Sequence, residues 1–374
     1  MASNLLRPAS RAAQCACKPL WRPITASRGA RSYSYSYSSI SKDASQRLSP
    51  IQSSKQSFNK PRYHSTAAGF MPNEGSVSTD EMTHFTSLAS SWWDPLGPSR
   101  ILHLMNPIRH EWIADCLSEG RPAPKVSADG SGKADAGLEY LDIGCGGGIF
   151  AESLARTIPQ DIARDGLSPV TQAKSITAID PTPMMIKIAT SHAQHDPAVS
   201  NHLKTGKFKY LNTSLEDLPS TLSTPSPKFD VITLFEVLEH VSPHNSSQPR
   251  FLKQILSMLR PGGWLVGSTI ARAFPAWVLH DVIAEAPWPV GVVPKGTHDW
   301  YKFVSPHEVE EWSKKGLQDI QKEKVATGEA EVAASPIMMA KFKSTGAVYI
   351  PGFGWKLVKC LDKYGNYFFA VQRT

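Results

Sequence analysis

Long apolar runs are missing from this 374-residue chain: nowhere do eighteen apolar residues stand together, so no membrane-spanning helix is predicted. Cysteine is scarce. Of five, Cys15 and Cys17 stand close in sequence, while Cys116, Cys145 and Cys360 have neither zinc-ligand nor disulfide spacing, as suits a reducing compartment. Acidic residues are absent until Asp43, and residues 1–64 hold eleven Lys/Arg against that one acid, a net +10. The whole chain is only +7, which leaves −3 for residues 65–374. A mildly acidic body lacks the basic groove that nucleic acid requires, so no nucleic-acid partner is expected.

The basic leader reads as a targeting segment. It is rich in Ser and Arg, contains the low-complexity run Arg31-Ser-Tyr-Ser-Tyr-Ser-Tyr-Ser-Ser39, and lacks the apolar core of a secretory signal. This is the pattern of a mitochondrial transit peptide, disordered over 1–64, with cleavage expected between about Arg31 and Ser65. Residues 65–118 are expected to form an N-terminal helical lid. Ser78 or Thr79 can cap its first helix with Asp80 and Glu81 in the first turn. Phe85, Leu88, Ala89 and Trp92 recur at helical spacing, and Trp92-Trp93-Asp94-Pro95 ends the helix. The stretch from Leu102 to His110 leads into a second helix reaching about Leu117. Adjacent tryptophans in such a lid serve core packing, and they are also placed to close over a ligand. Residues 119–137, rich in Gly, Pro, Ala and Ser, read as a flexible solvated loop.

At the centre stands Leu141-Asp-Ile-Gly-Cys-Gly-Gly-Gly-Ile-Phe150: strand, glycine turn, helix. A dinucleotide fingerprint, and with it an NAD(P)-binding oxidoreductase, needs a third glycine where Ile149 stands. Asp142 would also repel a diphosphate. It suits a cationic amine instead, such as the amino acid end of S-adenosylmethionine, with Gly144 and Gly146 letting backbone approach the donor. Further strands are expected at 138–143, 175–180, 208–211, 229–235 and 264–268, with two more near 317–327 and 367–372. Helices are expected at 184–193 and 250–259, and another begins at 306–312. The result is an α/β domain over 138–374, a doubly wound, seven-stranded, mostly parallel sheet of Rossmann-like type. Asp180, closing the second strand, is placed for ribose hydroxyls, and the Glu216/Asp217 pair, Asp217 above all, for an adenine edge.

Glu236, Glu239 and His240 form E-x-x-E-H at the end of a central strand. On a helix they would share one face. Two oxygen donors and a nitrogen suit Mg²⁺ with water positions left free, and such an ion would ionise a catechol hydroxyl. In metal-free methyltransferases the same place carries a similar sequence whose histidine caps or lines the pocket, so both readings stand. The stretch 274–294, FPAWVLHDVIAEAPWPVGVVP, carries only Asp281 and Glu285 as fixed charges. Its prolines exclude a spanning helix. It suits a lipid interface or a hydrophobic cap over the substrate, and the two are compatible.

These motifs together resemble the mitochondrial ubiquinone-biosynthesis O-methyltransferase family. The resemblance rests on Phe85…Leu88-Ala89…Trp92-Trp93-Asp94-Pro95, Leu102-His103-x-Met105-Asn106-Pro107-x-Arg109, LDIGCGGG, FEVLEHV, LRPGG and Ser268-Thr269-Ile270. It continues through Pro294-Lys-Gly-Thr-His-Asp-Trp300 and Gly365-Asn366-Tyr367, so it spans residue 80 to the end. It implies methylation of phenolic hydroxyls on polyprenylated dihydroxybenzoate and demethylubiquinol intermediates of coenzyme Q, with S-adenosylmethionine as donor; another small phenol is the alternative substrate. It implies donor contacts at Arg109, Gly144, Asp180 and Phe235, and Mg²⁺ at Glu236, Glu239 and His240, which are also the expected catalytic residues. It further implies peripheral attachment to the matrix face of the mitochondrial inner membrane, among other coenzyme Q biosynthesis proteins. Ala271 stands where the family usually has asparagine.

Overall fold

The computed structural model describes residues 76–123, 125–126, 134–135, 137–222, 224, 228–241, 247–277, 300–328 and 340–374. The basic leader lies outside the described residues, as does most of the apolar stretch 274–294.

Helix α1, Thr79–Leu88, starts where the sequence places its cap: the Ser78 hydroxyl accepts from the Glu81 N–H, and Asp80 and Glu81 occupy the first turn. A short 3₁₀ turn, Ala89–Ser91, carries the chain to the tryptophans. Helix α2, Arg100–Glu119, buries Met105, Ile108, Arg109, Trp112 and Ile113 along one side and admits Pro107 in its interior. The expected loop 119–137 contains a small antiparallel ribbon, Lys125–Val126 against Ala134–Asp135.

The main sheet follows. Its strands are β1 Leu138–Ile143, β2 Ala173–Asp180, β3 Phe208–Asn212, β4 Phe229–Phe235, β5 Leu259–Ile270, β6 Ala340–Ile350, β7 Gly354–Val358 and β8 Asn366–Arg373. Their spatial order is β3-β2-β1-β4-β5-β8-β6-β7. The first five are parallel, and β8, β6 and β7 are antiparallel additions. The sheet thus has eight strands where seven are expected. Helices α3 Ile149–Ala155, α4 Pro183–Ala193, α5 Pro197–Lys204, α6 Gln248–Met258 and α7 Pro306–Ala326 cover it.

Both faces are buried, so neighbouring residues of a central strand enter different layers. Tyr140, Val231 and Phe368 pack with Trp112, Phe150 and Leu154 from α2 and α3. Their neighbours Leu141, Ile232 and Phe369 pack with Leu252, Ile255, Leu317 and Ile320 from α6 and α7. All seven residues of β4 are buried, including Asp230, which Arg260 holds in an ion pair. Strand order reverses between β1 and β4, and the carboxyl ends of the parallel strands there open the crevice in which such sheets bind ligands.

One strand assignment is corrected. Residues 317–326 belong to α7 and Thr327 caps its end; its start is a capping box between Ser305 and Glu308. Val309, Ser313, Gly316, Leu317 and Ile320 are buried at helical spacing, so the period of the apolar face is that of a helix. Strands β6 and β7 supply the edge instead. Leu317→Ala, which empties a fully buried position, should lower the free energy of urea unfolding by about 2–5 kcal/mol. Removing the exposed Lys314 from the same helix should change it by no more than about 0.5 kcal/mol.

Candidate functional site

The carboxyl ends of the parallel strands open into a cavity of about 690 Å³. Its floor is the glycine turn after β1. Gly144 has φ +66°, and a Cβ there would lie 2.6 Å from Val237. Gly147 is constrained from the other side: a Cβ would sit 2.3 Å from Trp92. The lid tryptophans therefore lie directly on the turn. Trp92 is buried against it, and the Trp93 indole N–H donates to the Gly147 carbonyl at 2.8 Å while its ring stacks on His192. Packing and closure over the site are the same contact.

Asp142 and Arg109 face the cavity from opposite elements. Thr233 donates its hydroxyl to Asp142 Oδ1 at 2.6 Å, while Oδ2 is buried without a protein partner. Burial pushes the Asp142 carboxyl up to about 7 against the pull of Thr233 and the Arg109 charge. Arg109 donates to Asn106 at 3.1 Å and lies against the rings of Phe235 and Phe150, and its Nε has no protein partner. Burial depresses its guanidinium to about 10, with Glu236 and Asp142 opposing. A buried acid and a buried base, each with an unmade hydrogen bond, fit the ammonium and carboxylate of an amino acid.

Asp180, at the end of β2, ties the turn together. Its Oδ2 accepts from the Gly146 N–H at 2.9 Å and its Oδ1 from the Thr182 N–H at 2.8 Å. Burial raises its carboxyl, opposed by those two donors. Each oxygen keeps one lone pair for a ligand hydroxyl.

The acidic motif is not an α-helix. Glu236 leaves β4 with φ +57°, a left-handed conformation that costs a non-glycine residue energy, and Leu238–His240 is a 3₁₀ turn. Even so, Glu236, Glu239 and His240 all line the cavity. Each is held from behind: Ser268 donates to Glu236 Oε1 and Thr269 to Glu239 Oε2, both at 2.6 Å. The His240 Nδ1 meets Glu81 Oε2 at 3.1 Å, and Lys302 binds the other oxygen of Glu81 at 2.8 Å. Burial and the neighbouring Glu236 charge push Glu239 up to about 7. Burial also acts on Glu81, but His240 and Lys302 outweigh it and hold that carboxyl at about 2.

Two carboxylates and an imidazole, each with its outer partner, are a donor set that fits a hard divalent cation retaining water ligands. Among the described residues, however, no three His, Cys, Asp or Glu side chains close into a ligand cluster. The structure provides the donors and their supports, not a closed cage.

Of the sequence-derived site residues, Arg109, Asp142, Gly144, Gly146, Asp180, Phe235, Glu236, Glu239 and His240 line the one cavity. Asp217 does not. It is exposed at the start of the short helix Leu218–Thr221, where the Ser214 hydroxyl donates to it at 2.8 Å. The local hydrogen bond turns it away from the cavity. Sequence reasoning read Glu81 only as a helix-start acid, and it placed no wall at Tyr349 and Trp355 of the β6–β7 hairpin, which also line the cavity. The paired aromatics on short alternating segments were the available signal.

Residues 119–321 match the family model described as a methyltransferase domain. The mitochondrial ubiquinone biosynthesis O-methyltransferase of Candida albicans is 33% identical over 327 residues, covering 80% of this chain and 86% of its own. The corresponding protein of Schizosaccharomyces pombe is 37% identical over 242 residues, 64% of this chain and 72% of its own. The ubiquinone biosynthesis O-methyltransferase of Methylobacterium nodulans is 30% identical over 305 residues, 80% of this chain and 96% of its own. With a charged floor beside an acidic motif on a doubly wound sheet, and relatives matched over most of their length, this chain belongs to the ubiquinone biosynthesis O-methyltransferase family of S-adenosylmethionine-dependent enzymes.

Proposed function

We propose that this chain transfers the methyl group of S-adenosylmethionine to a phenolic oxygen of polyprenylated dihydroxybenzoate and demethylubiquinol rings in coenzyme Q biosynthesis. It does so in the mitochondrion, as a peripheral protein at the matrix face of the inner membrane beside other enzymes of that pathway. The observation that carries this reading is one cavity with two kinds of wall. Charged groups for a zwitterionic donor line its floor, and Met105, Ile101, Tyr349 and Trp355 form an apolar side that suits a prenylated ring.

Asp142 Oδ2 accepts from the donor's ammonium and Arg109 Nε donates to its carboxylate, while Asp180 takes the ribose hydroxyls. Phe150 and Phe235 shield the guanidinium from water, which strengthens its hold on the carboxylate. Glu236, Glu239 and His240 would hold a divalent cation such as Mg²⁺. When bound, that ion lowers the pKa of a phenolic hydroxyl beside it. Ser268, Thr269 and Glu81 orient those three side chains toward the cavity. The phenolic oxygen, its proton released to water, then attacks the methyl carbon in line with the departing sulfur; the O–C bond forms as the C–S bond breaks, and the sulfur leaves as a neutral thioether. The sulfonium is already activated, so holding the reacting atoms about 3 to 3.5 Å apart supplies much of the rate.

Two measurements test this reading. Glu239→Ala should reduce methyl transfer to a short-chain prenylated catechol by about 100-fold or more. Donor affinity measured by calorimetry should stay within about twofold, since Glu239 is assigned no donor contact; chelator should reproduce the loss in the unaltered enzyme. Full activity in that variant removes the acidic motif from the reaction.

The second concerns pH. With the free Asp142 carboxyl near 7, its charged form prevails above that value and binds the ammonium. Protonation below it competes with the donor, so affinity should fall roughly tenfold per pH unit below 7. Asp142→Asn should bind more weakly with a flat profile over the same range. A flat profile in the unaltered protein would contradict the assignment.

A further inference from the structure

The β6–β7 hairpin has two unlike faces. Ala347 pairs with Leu357 and Tyr349 with Trp355, and these side chains pack inward beside α2. Val348 pairs with Lys356 and Ile350 with Gly354, and both apolar residues stand in solvent, Ile350 at 42% exposure. The turn between the strands carries Phe353 at 77% exposure, and the segment leading to β8 adds Leu361 and Tyr364, the latter at 55%. Scattered surface apolar residues need no explanation, but these are contiguous along one hairpin and its exit.

Two further observations say what covers them. First, Val348, Pro351, Leu361 and Tyr364 also line the cavity, so the exposed apolar surface is continuous with the inner wall. Second, the segment Val348 to Tyr364 carries Lys356, Lys359 and Lys363 against the single acid Asp362. Asp362 is engaged by the Ser344 hydroxyl at 2.6 Å, whereas the three lysines are exposed and none is ion-paired among the described residues. Apolar side chains ringed by unpaired lysines are the chemistry of an interface with an anionic bilayer: the rings and aliphatic chains enter the headgroup boundary and the ammonium groups meet lipid phosphates.

We propose that the β6–β7 hairpin and the segment after it seat the enzyme on an anionic membrane, with the cavity mouth facing the lipid. A prenylated substrate then passes from bilayer to site along Val348, Leu361 and Tyr364 without its tail crossing water. This rests on the proposed substrate class and adds to it the surface that collects the substrate. A soluble protein partner would favour the same apolar residues but gives no reason for lysines beside them that pair with no acid among the described residues.

The test uses the full chain and two kinds of vesicle, phosphatidylcholine alone and phosphatidylcholine with cardiolipin. The unaltered protein should co-sediment with the cardiolipin vesicles and far less with the neutral ones. A triple variant, Lys356→Glu, Lys359→Glu and Lys363→Glu, should weaken that partitioning about 100-fold. The double variant Ile350→Ser and Phe353→Ser should weaken binding to both kinds of vesicle. None of these five side chains lines the cavity. Both variants should therefore methylate a water-soluble catechol at the unaltered rate and lose rate only on a long-chain substrate held in vesicles.

Unchanged vesicle binding in both variants would overturn the proposal, as would failure of the unaltered protein to bind cardiolipin vesicles or its capture by a soluble partner through these residues instead. The soluble-catechol assay separates the two levels: no turnover there refutes the proposed function, whereas turnover there with no vesicle dependence refutes only the docking surface.

Discussion

Burying a carboxylate is expensive, and this sheet buries Asp142, Asp180 and Glu239 within one crevice and adds Glu236 to its lining. What makes that tolerable is a division of each group's two oxygens. One is tied to the scaffold: Thr233 holds Asp142, Thr269 holds Glu239 and Ser268 holds Glu236. The other is left for a ligand, except at Asp180, where both oxygens accept from backbone N–H groups and only remaining lone pairs are free. Arg109 is the counterweight, itself buried and lying against two phenyl rings. The raised carboxyl groups of Asp142 and Glu239 are the residue of that incomplete compensation, and a cationic ligand completes it.

The lid belongs to the same arrangement. Its two tryptophans rest on a turn that has no Cβ at Gly147, and one of them donates a hydrogen bond into that turn. At its other end Glu81 reaches His240 and Lys302, tying α1 to the acidic motif and to the segment before α7. The lid thus touches both the glycine turn and the acidic motif. A helix held only by apolar packing would cover the site; this one is also bonded to it.

Much of the fold was readable in the residues. The alternating strands and helices, the ends of β1 and β4, the Ser78 cap and the acids closing β1 and β2 all follow from local patterns that tertiary contacts do not override. Residues 317–327 read as a strand only in isolation, because Leu317, Ile320 and Val325 are too few apolar positions to declare a period, whereas the buried positions along all of α7 do. Asp217 was placed on the adenine because carboxylates near the third strand's exit invite it, but a hydroxyl three residues away claims the side chain first.

The amino-acid sequence by itself determined which polar groups exist to build the site: a glycine turn without the third glycine, an acid ahead of it, an acid after the second strand, and E-x-x-E-H. These are local choices, and local chemistry suffices to read them. Only the tertiary structure decided that Arg109, from a helix preceding the sheet, shares a cavity with Asp142, that Trp92 packs on the glycine turn while Glu81 braces His240 from behind, and that a late hairpin supplies the cavity's apolar wall. Each joins segments far apart in the chain. Such contacts arise because the sheet's strand order reverses beside β1, and no spacing along the sequence encodes that reversal.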